Sequence, residues 1–128
     1  MSVKVDLAGL ADAVADYGFA YLLTVSEDQR PHAVAVQPEL SGGAFEVQGL
    51  GGRTLANLAS RSDVTLLFPP GEPGGYSLIV DGRATADESG ASVVPAHAVL
   101  HRPAPDAAQP AEGSCGNDCL PVTTAQDA

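Results

Sequence analysis

Residues 44–60, AFEVQGLGGRTLANLAS, pass from a strand pattern to a helix pattern through a glycine-rich turn. Apolar and polar residues alternate from Phe45 to Gln48, which is the two-residue period of a strand. Leu55 and Leu58 then recur at helical spacing, and three glycines lie between the two patterns. The stretch therefore predicts a third strand over residues 44–50, a glycine turn, and a short helix.

The chain before this stretch predicts one helix and two strands. Asp6 is a good helix N-cap, residues 7–17 carry apolar side chains at three- and four-residue spacing, and Gly18 occupies the C-cap position. Residues 19–26 read as a strand that is buried on both faces. A polar turn follows, and residues 32–39 read as a second strand.

The chain after the short helix predicts three more strands. Residues 64–68 form a compact fourth strand, and the proline- and glycine-rich residues 69–75 form a loop. A fifth strand covers residues 76–86, where Gly82 indicates a bend or a close backbone contact. The sixth, over residues 92–100, contains Pro95. Many short strands in a small domain are typical of a barrel or a sandwich.

The end of the chain differs in composition from the rest. From Arg102 onwards, prolines lie among alanine and polar or acidic residues, which bury too little apolar surface to offset the entropy of ordering. We therefore expect a folded domain over residues 1–101 and a disordered acidic tail over residues 102–128. The tail contains Cys115 and Cys119.

The composition limits the classes of function. The chain has 128 residues and a net charge of −10, from 16 acidic and 6 basic residues. Such a charge repels phosphate backbones, so we expect no nucleic-acid partner. No signal peptide or membrane span is visible and no disulfide framework is present, so we expect a cytoplasmic protein. A domain this small would gain stability by burying one face against a second copy.

The glycine turn is the strongest candidate site. Glycines allow a close backbone approach to an anion, and a helix N-terminus offers unpaired N–H groups with partial positive charge. Arg53 could add a bidentate contact to a phosphate. The alternative is an ordinary turn with Arg53 in water. The candidate cofactor-binding residues are Gly49, Gly51, Gly52, Arg53, Thr54 and Asn57.

The histidines and Arg83 have more ordinary interpretations. His32 could lie near a cofactor, but a strand-edge histidine without a special role is the preferred reading. His97 and His101 would point the same way from a strand yet lie too far apart to chelate a metal easily. Arg83 could reach an anionic cofactor, although a surface pair with a carboxylate is preferred. No metal site is predicted, and no catalytic side chain is assigned.

The two cysteines form a C-x3-C motif, which differs from the C-x2-C of zinc ribbons and thioredoxin-like sites. Gly116 and Asn117 between them permit a tight disulfide loop. Two thiolates could also hold a soft metal, although weakly. A pair of free thiols on a disordered tail is the third alternative.

Four segments, in this order and at this spacing, resemble the pyridoxamine 5'-phosphate oxidase-like flavin-binding split barrels. They span the chain from residue 7 to about residue 100. They are the strand pair AYLLTV (residues 20–25) with PHAVAV (residues 31–36), then RTLANL (residues 53–58), VTLLF (residues 64–68) and YSLIVDGRA (residues 76–84).

The resemblance implies a mainly β fold: a six-stranded split barrel with one N-terminal helix and one short helix after strand three. It also implies a homodimer with a flavin in the groove between its subunits. The cofactor would be FMN, or the deazaflavin coenzyme that an actinobacterial branch uses. The C-terminal segment that builds the substrate pocket of the true oxidase is not recognisable here, so no substrate is assigned.

Three hypotheses follow. The first is a flavin-dependent oxidoreductase that transfers hydride between a small molecule and bound FMN. The second is a non-enzymatic split barrel that carries a flavin, a deazaflavin or haem, or that serves as an interaction module. The third is a metal or redox protein centred on Cys115 and Cys119.

Overall fold

The computed structural model describes residues 1–104 of the chain, and this part is mainly β. A 3-10 turn at Leu7–Gly9 precedes the first α-helix. The helices are α1 (Leu10–Val14) and α2 (Gly52–Ser60), and the strands are β1 (Ser2–Lys4), β2 (Ala20–Val25), β3 (Pro31–Val36), β4 (Glu39–Ser41), β5 (Ala44–Val47), β6 (Asp63–Phe68), β7 (Ser77–Ala86) and β8 (Ala91–His101).

The eight described strands form one curled antiparallel sheet. Seven follow the order β3-β2-β6-β7-β8-β5-β4, and β1 pairs with β8 outside this path. The long strand β8 pairs with β7 along one edge, and its other edge is shared by β5 at residues 91–93 and β1 at residues 99–101. Within residues 1–104, β3 and β4 end the sheet path without pairing to each other. The barrel is therefore split between them, as the predicted fold class requires.

The described residues form eight strands, two more than the six that the sequence predicts, and the additional strands are β4 and β1. The predicted second strand, residues 32–39, is divided into β3 and β4, because Pro38 has no N–H group to continue a ladder. The additional strand β1 is only three residues long and is wholly exposed, so it carries no hydrophobic alternation that would reveal it.

The N-terminal helix is shorter than predicted. Asp6 does act as an N-cap, and its carboxylate accepts a hydrogen bond from the Ala8 N–H at 3.3 Å. The helix that it caps is a 3-10 turn, however, and α1 ends at Val14 instead of residue 17. Gly9 interrupts the segment, because glycine is unfavourable inside a helix.

The core lies on the inner face of the curled sheet. Each fully buried leucine or phenylalanine stabilises the fold by about 1.5–3 kcal/mol. Tyr17 extends the core from the segment after α1, with its ring 6.0 Å from that of Phe68, and its hydroxyl donates to the Tyr76 carbonyl at 2.9 Å. Burial, with a smaller contribution from the charge of Asp16, raises the pKa of Tyr17. The largest buried side chains are Leu22, Phe45, Val47, Leu66, Leu78, Val80 and Val93.

Helix α2 is held on the sheet by one buried polar contact. The Asn57 side-chain amide donates to the Thr24 hydroxyl of β2 at 3.0 Å, and these residues are 5% and 1% exposed. Leu58 packs beside them in the hydrophobic core. The C-terminal end of α2 also contacts the β2–β3 turn, where Arg61 Nε donates to the Ser26 carbonyl at 3.4 Å.

Gly82 lies at a bulge between β7 and β8, which confirms the predicted close backbone contact. The register shifts between Asp81 and Gly82, so that Gly82 faces Pro95 across the ladder. A Cβ atom on Gly82 would lie 2.5 Å from the Val94 carbonyl oxygen. Pro95 is tolerated in β8 because a bulge is one of the few sheet positions that accept proline.

The two ends of the described chain meet. The Met1 ammonium donates to the Arg102 carbonyl at 2.8 Å, and the Arg102 guanidinium lies 4.4 Å from the centroid of the Tyr76 ring. The rest of the predicted tail, including Cys115 and Cys119, lies outside the described residues. Among the described residues, no helix has the length and apolar character needed to cross a membrane.

We expect Gly82→Ala to lower the free energy of unfolding by about 1–3 kcal/mol, because the added methyl group overpacks against backbone that cannot move freely. Gly18→Ala is the matched control, since a Cβ atom there would meet nothing within 4 Å. Urea denaturation measures both. Equal stability of the two variants would contradict the close contact.

We expect Thr24→Val to destabilise the protein by about 1–3 kcal/mol, because it leaves the buried Asn57 amide without its acceptor. The double variant Thr24→Val/Asn57→Leu should recover part of this loss, since both polar partners are then removed. A double-mutant cycle from denaturation curves measures the coupling. Strictly additive effects would show that the hydrogen bond contributes nothing.

Candidate functional site

The glycine turn between β5 and α2 has a backbone that requires glycine at one position. Gly49 has φ +74°, in the left-handed region that favours glycine, although a Cβ atom there would meet nothing within 4 Å. Leu50 is buried, and its N–H donates to the Ser89 carbonyl at 2.8 Å. The turn is therefore anchored to the β7–β8 connection.

The start of α2 is open to solvent. The N-cap residue Gly51 makes no side-chain capping bond, and Gly51, Gly52 and Arg53 are all exposed. The first intrahelical bond runs from the Leu55 N–H to the Gly51 carbonyl at 3.0 Å. The exposed N–H groups of Gly52 and Arg53 therefore have no partner inside the helix, and this end carries partial positive charge.

Thr54 and Asn57 lie beneath this surface. Thr54 is only 1% exposed, and Asn57 holds α2 on β2 through Thr24. The structure thus brings together all six candidate residues in one segment, but it divides them by depth. Gly49 is exposed in the turn, three residues reach solvent at the helix start (Gly51, Gly52 and Arg53), and two pack under them (Thr54 and Asn57).

A cleft of about 500 Å³ opens beside α2, and we call it the arginine cleft. It lies between α2 and the β2–β3 turn, so it combines one predicted site element with a turn that was not predicted to take part. Its lining residues are Ser26, Asp28, Arg30, Pro31, His32, Arg53 and Asn57.

His32 and Arg30 join the site through the β2–β3 register. His32 pairs with Thr24, so both side chains lie on the inner face of the sheet, next to Asn57. The preferred sequence interpretation gave His32 no special role, and Arg30 was not identified. The short turn of residues 26–30 was the available signal, since it fixes the register that brings Arg30 and His32 toward α2.

The charges in the arginine cleft differ in how they are paired. Arg30 Nε lies 3.4 Å from the Asp28 carboxylate, and both side chains are largely exposed. Arg53 makes no ion pair within residues 1–104. The Arg53 guanidinium is thus available to an anion, which it could bind with the N–H groups at the start of α2.

A second cleft, of about 720 Å³, lies where the barrel is split, and we call it the split cleft. It is bounded by the end of β3 on one side and by the β4–β5 hairpin on the other. Two carboxylates and no basic side chain line it. Its residues are Phe19, Ala35, Val36, Gln37, Glu39, Glu46 and Gln48.

The other residues considered from the sequence lie away from both clefts. Arg83 pairs with Asp63 at 3.5 Å, which confirms the predicted surface pair. His97 Nδ1 lies 3.8 Å from Asp81, whereas His101 contacts the Ser2 hydroxyl at 3.0 Å. The two histidines are thus engaged separately, and residues 1–104 contain no group of three potential metal ligands.

The chain is 51% identical to the uncharacterized protein Mb0449c of Mycobacterium bovis and to the uncharacterized protein MT0457 of Mycobacterium tuberculosis. Each alignment covers 91% of this chain and 94% of the mycobacterial protein. No family model matches the sequence.

Solved structures with the same fold share little sequence. A pyridoxamine 5'-phosphate oxidase-like protein of Listeria innocua superposes with a TM-score of 0.62 at 15% identity, covering 73% of this chain and 96% of that one. A FAD-binding protein of Mesorhizobium loti gives 0.61 at 12% identity, with 78% and 96% covered. A FAD-binding protein of Mycobacterium smegmatis gives 0.57 at 15% identity, with 80% and 100% covered.

The fold is therefore that of the flavin-binding split barrels. Sequence identities this low show a shared fold and nothing about function. The identity to the two mycobacterial proteins is far higher and extends over nearly their whole length. The chain belongs to the same family as these mycobacterial proteins, and its fold is the pyridoxamine 5'-phosphate oxidase-like split barrel.

Proposed function

We propose that the protein is a homodimeric flavin-dependent oxidoreductase that binds FMN with its phosphate at the start of α2. The observation that carries the proposal is the open N-terminus of α2 beside the unpaired guanidinium of Arg53. The likeness to two structures named as FAD-binding proteins supports a flavin in general.

The residues at the start of α2 fit a phosphate. The exposed N–H groups of Gly52 and Arg53 and the Arg53 guanidinium are all donors, which is what a dianion needs. Cβ atoms on Gly51 or Gly52 would meet nothing within 4 Å, so a phosphate could approach the backbone closely. Arg30 lies on the opposite wall of the cleft but is paired with Asp28, so the proposed phosphate contact depends on Arg53.

The edge of β3 supports the position of the ring system. β3 pairs with β2 alone in the described sheet, so its other edge has free N–H and C=O groups at alternate residues. This edge runs from the arginine cleft at Pro31 and His32 to the split cleft at Val36. We propose that backbone groups along the free edge of β3 hold the flavin ring.

A bound flavin supplies the hydride chemistry, so the chain needs no nucleophile of its own. The protein residues bind the phosphate, fix the orientation of the ring and limit the access of water. His32, on the inner face near Asn57, would offer a ring N–H as a hydrogen-bond donor at the cleft wall.

We expect Arg53→Ala to weaken FMN binding by about tenfold or more, because a charge-assisted hydrogen bond to a phosphate contributes about 1.5–3 kcal/mol. Arg83→Ala is the matched control, since it removes an arginine that pairs with Asp63 away from the clefts. Fluorescence titration with FMN measures both affinities.

Equal FMN affinity in the wild type and in Arg53→Ala would contradict the proposed phosphate site. Parallel titrations with FAD and with the deazaflavin coenzyme identify the preferred cofactor. Anaerobic bleaching of the bound flavin by NADH or NADPH would support an oxidoreductase. A flavin that binds tightly but is reduced by neither donor would favour the carrier alternative.

The proposed second copy would cover the outer face of the sheet. The strand register places a row of five apolar side chains on this face, one from each of β3, β2, β6, β7 and β8. The β2 member of this row, Tyr21, is 38% exposed. The helix α2 and the segment after α1 pack on inner-face residues instead. The row is Ala35, Tyr21, Leu67, Ile79 and Val99.

We expect Leu67→Lys to convert the dimer into a monomer, because it puts a charge in the centre of this apolar row. Val3→Lys is the control: Val3 is 50% exposed and pairs with Leu100, which faces the buried Leu78 on the inner side. Sedimentation equilibrium measures both variants. A wild-type protein that sediments as a monomer with flavin bound would overturn the proposed dimer.

A further inference from the structure

The connection between β7 and β8 is a tight turn that Asp87 holds from within. The Asp87 carboxylate oxygen Oδ1 accepts hydrogen bonds from the Ser89 N–H at 3.1 Å and from the Gly90 N–H at 2.8 Å. The Asp87 N–H also donates to the Gly90 carbonyl at 2.8 Å. An aspartate that accepts from the backbone just ahead of it favours a turn, so these contacts specify one conformation of residues 87–90.

The β7–β8 turn lies directly against the chain that leads into the glycine turn. The Ser89 carbonyl accepts a hydrogen bond from the Leu50 N–H at 2.8 Å. A Cβ atom on Gly90 would overlap the Val47 carbonyl oxygen and would lie 3.2 Å from the Gln48 Cα atom. Backbone therefore meets backbone here, in a close approach that a residue larger than glycine would prevent. A shift of the β7–β8 turn would be passed directly to the glycine turn.

Leu50 connects this contact to the start of α2. Its side chain is buried in the core, and only Gly51 separates it from the first residue of the helix. The glycines on either side of Leu50 have no side chains that could hold the backbone in place. Leu50 therefore fixes the glycine turn at two points, with its N–H on the β7–β8 turn and its side chain in the core.

The proposed phosphate site depends on this backbone. Two of its donors are the N–H groups of Gly52 and Arg53, and donors that are already in position bind more tightly than donors that binding must first order. Asp87 is not among the residues that line the arginine cleft. Its carboxylate contacts backbone N–H groups of its own turn, so it would act on the phosphate only through the glycine turn.

We propose that Asp87 is a positioning residue for the phosphate of the bound flavin. It fixes the β7–β8 turn, and Ser89 and Gly90 of that turn hold the glycine turn in the form that presents the N–H groups of α2. The inference rests on the proposed function for its ligand. The chain of contacts from Asp87 to Leu50 can be tested without any ligand.

FMN and riboflavin test the inference on the full-length protein, because they share one ring system and differ in the phosphate. The ratio of their dissociation constants, measured by fluorescence titration, gives the contribution of the phosphate. We expect Asp87→Ala to reduce the preference for FMN about fivefold and to change the riboflavin affinity little. Asp87→Asn should keep most of the preference, because its side-chain oxygen can accept the same two hydrogen bonds.

Asp12→Ala is the matched control, since it removes the same charge from an exposed residue of α1. Loss of an acidic side chain reduces repulsion of a phosphate, so a general charge effect would raise the affinity for FMN in both variants. The expected loss in Asp87→Ala has the opposite sign. A rise in FMN affinity in both variants would overturn the inference.

Hydrogen exchange in the flavin-free protein tests the contact chain itself. We expect Asp87→Ala to accelerate exchange of the Leu50 amide about tenfold, while the amide of Leu22 in β2 keeps its rate, because the opening is local. Equal acceleration at Leu50 and Leu22 would mean general destabilisation and would overturn the inference.

The two proposals fail in different ways. A wild-type protein that prefers FMN to riboflavin, with the same preference in Asp87→Ala, would overturn the positioning role and leave the proposed function intact. A wild-type protein that binds no flavin would overturn the proposed function. Faster exchange of the Leu50 amide alone would then still support the control of the glycine turn by Asp87.

Discussion

The hydrogen bond between Asn57 and Thr24 is the constraint on which the candidate site depends. It is the buried polar link between α2 and the sheet, and it joins the helix to the strand whose hairpin forms the other wall of the arginine cleft. Buried polar groups are costly unless they are paired, so this contact specifies one position of α2 where apolar packing alone would allow several. The exposed donors at the start of the helix are fixed as a consequence.

Local patterns in the sequence were sufficient for most of the fold. The change of period after Val47, the glycine turn and the alternation of β7 predicted the elements around the site correctly. The interruption at Pro38 and the short strand β1 were missed. A three-residue exposed strand exists because β8 offers it a free edge, and that edge depends on tertiary structure and not on local sequence.

The site was only partly predictable for the same reason. The segment from Gly49 to Asn57 is contiguous, so its chemistry could be read directly from the sequence. Arg30 and His32 belong to the site through strand register, and the depth of Thr54 depends on how α2 packs. The paired glutamates of the split cleft are seven residues apart in sequence, and the β4–β5 hairpin makes them neighbours. Such juxtapositions require the strand pairing to be known.

The two clefts at the ends of β3 carry opposite charges, so the two ends of the candidate site are not equivalent. At about 3.3 Å per residue, Pro31 and Val36 are about 17 Å apart, with the arginine cleft at one end and the acidic split cleft at the other. Under the proposed function, the phosphate would lie at α2, and the carboxylates at the split would disfavour an anionic group there. Reversing this order would put a phosphate against Glu39 and Glu46, and that repulsion would penalise the reversed orientation. In a chain with a net charge of −10, the placement of its few arginines would therefore favour one orientation of the proposed flavin.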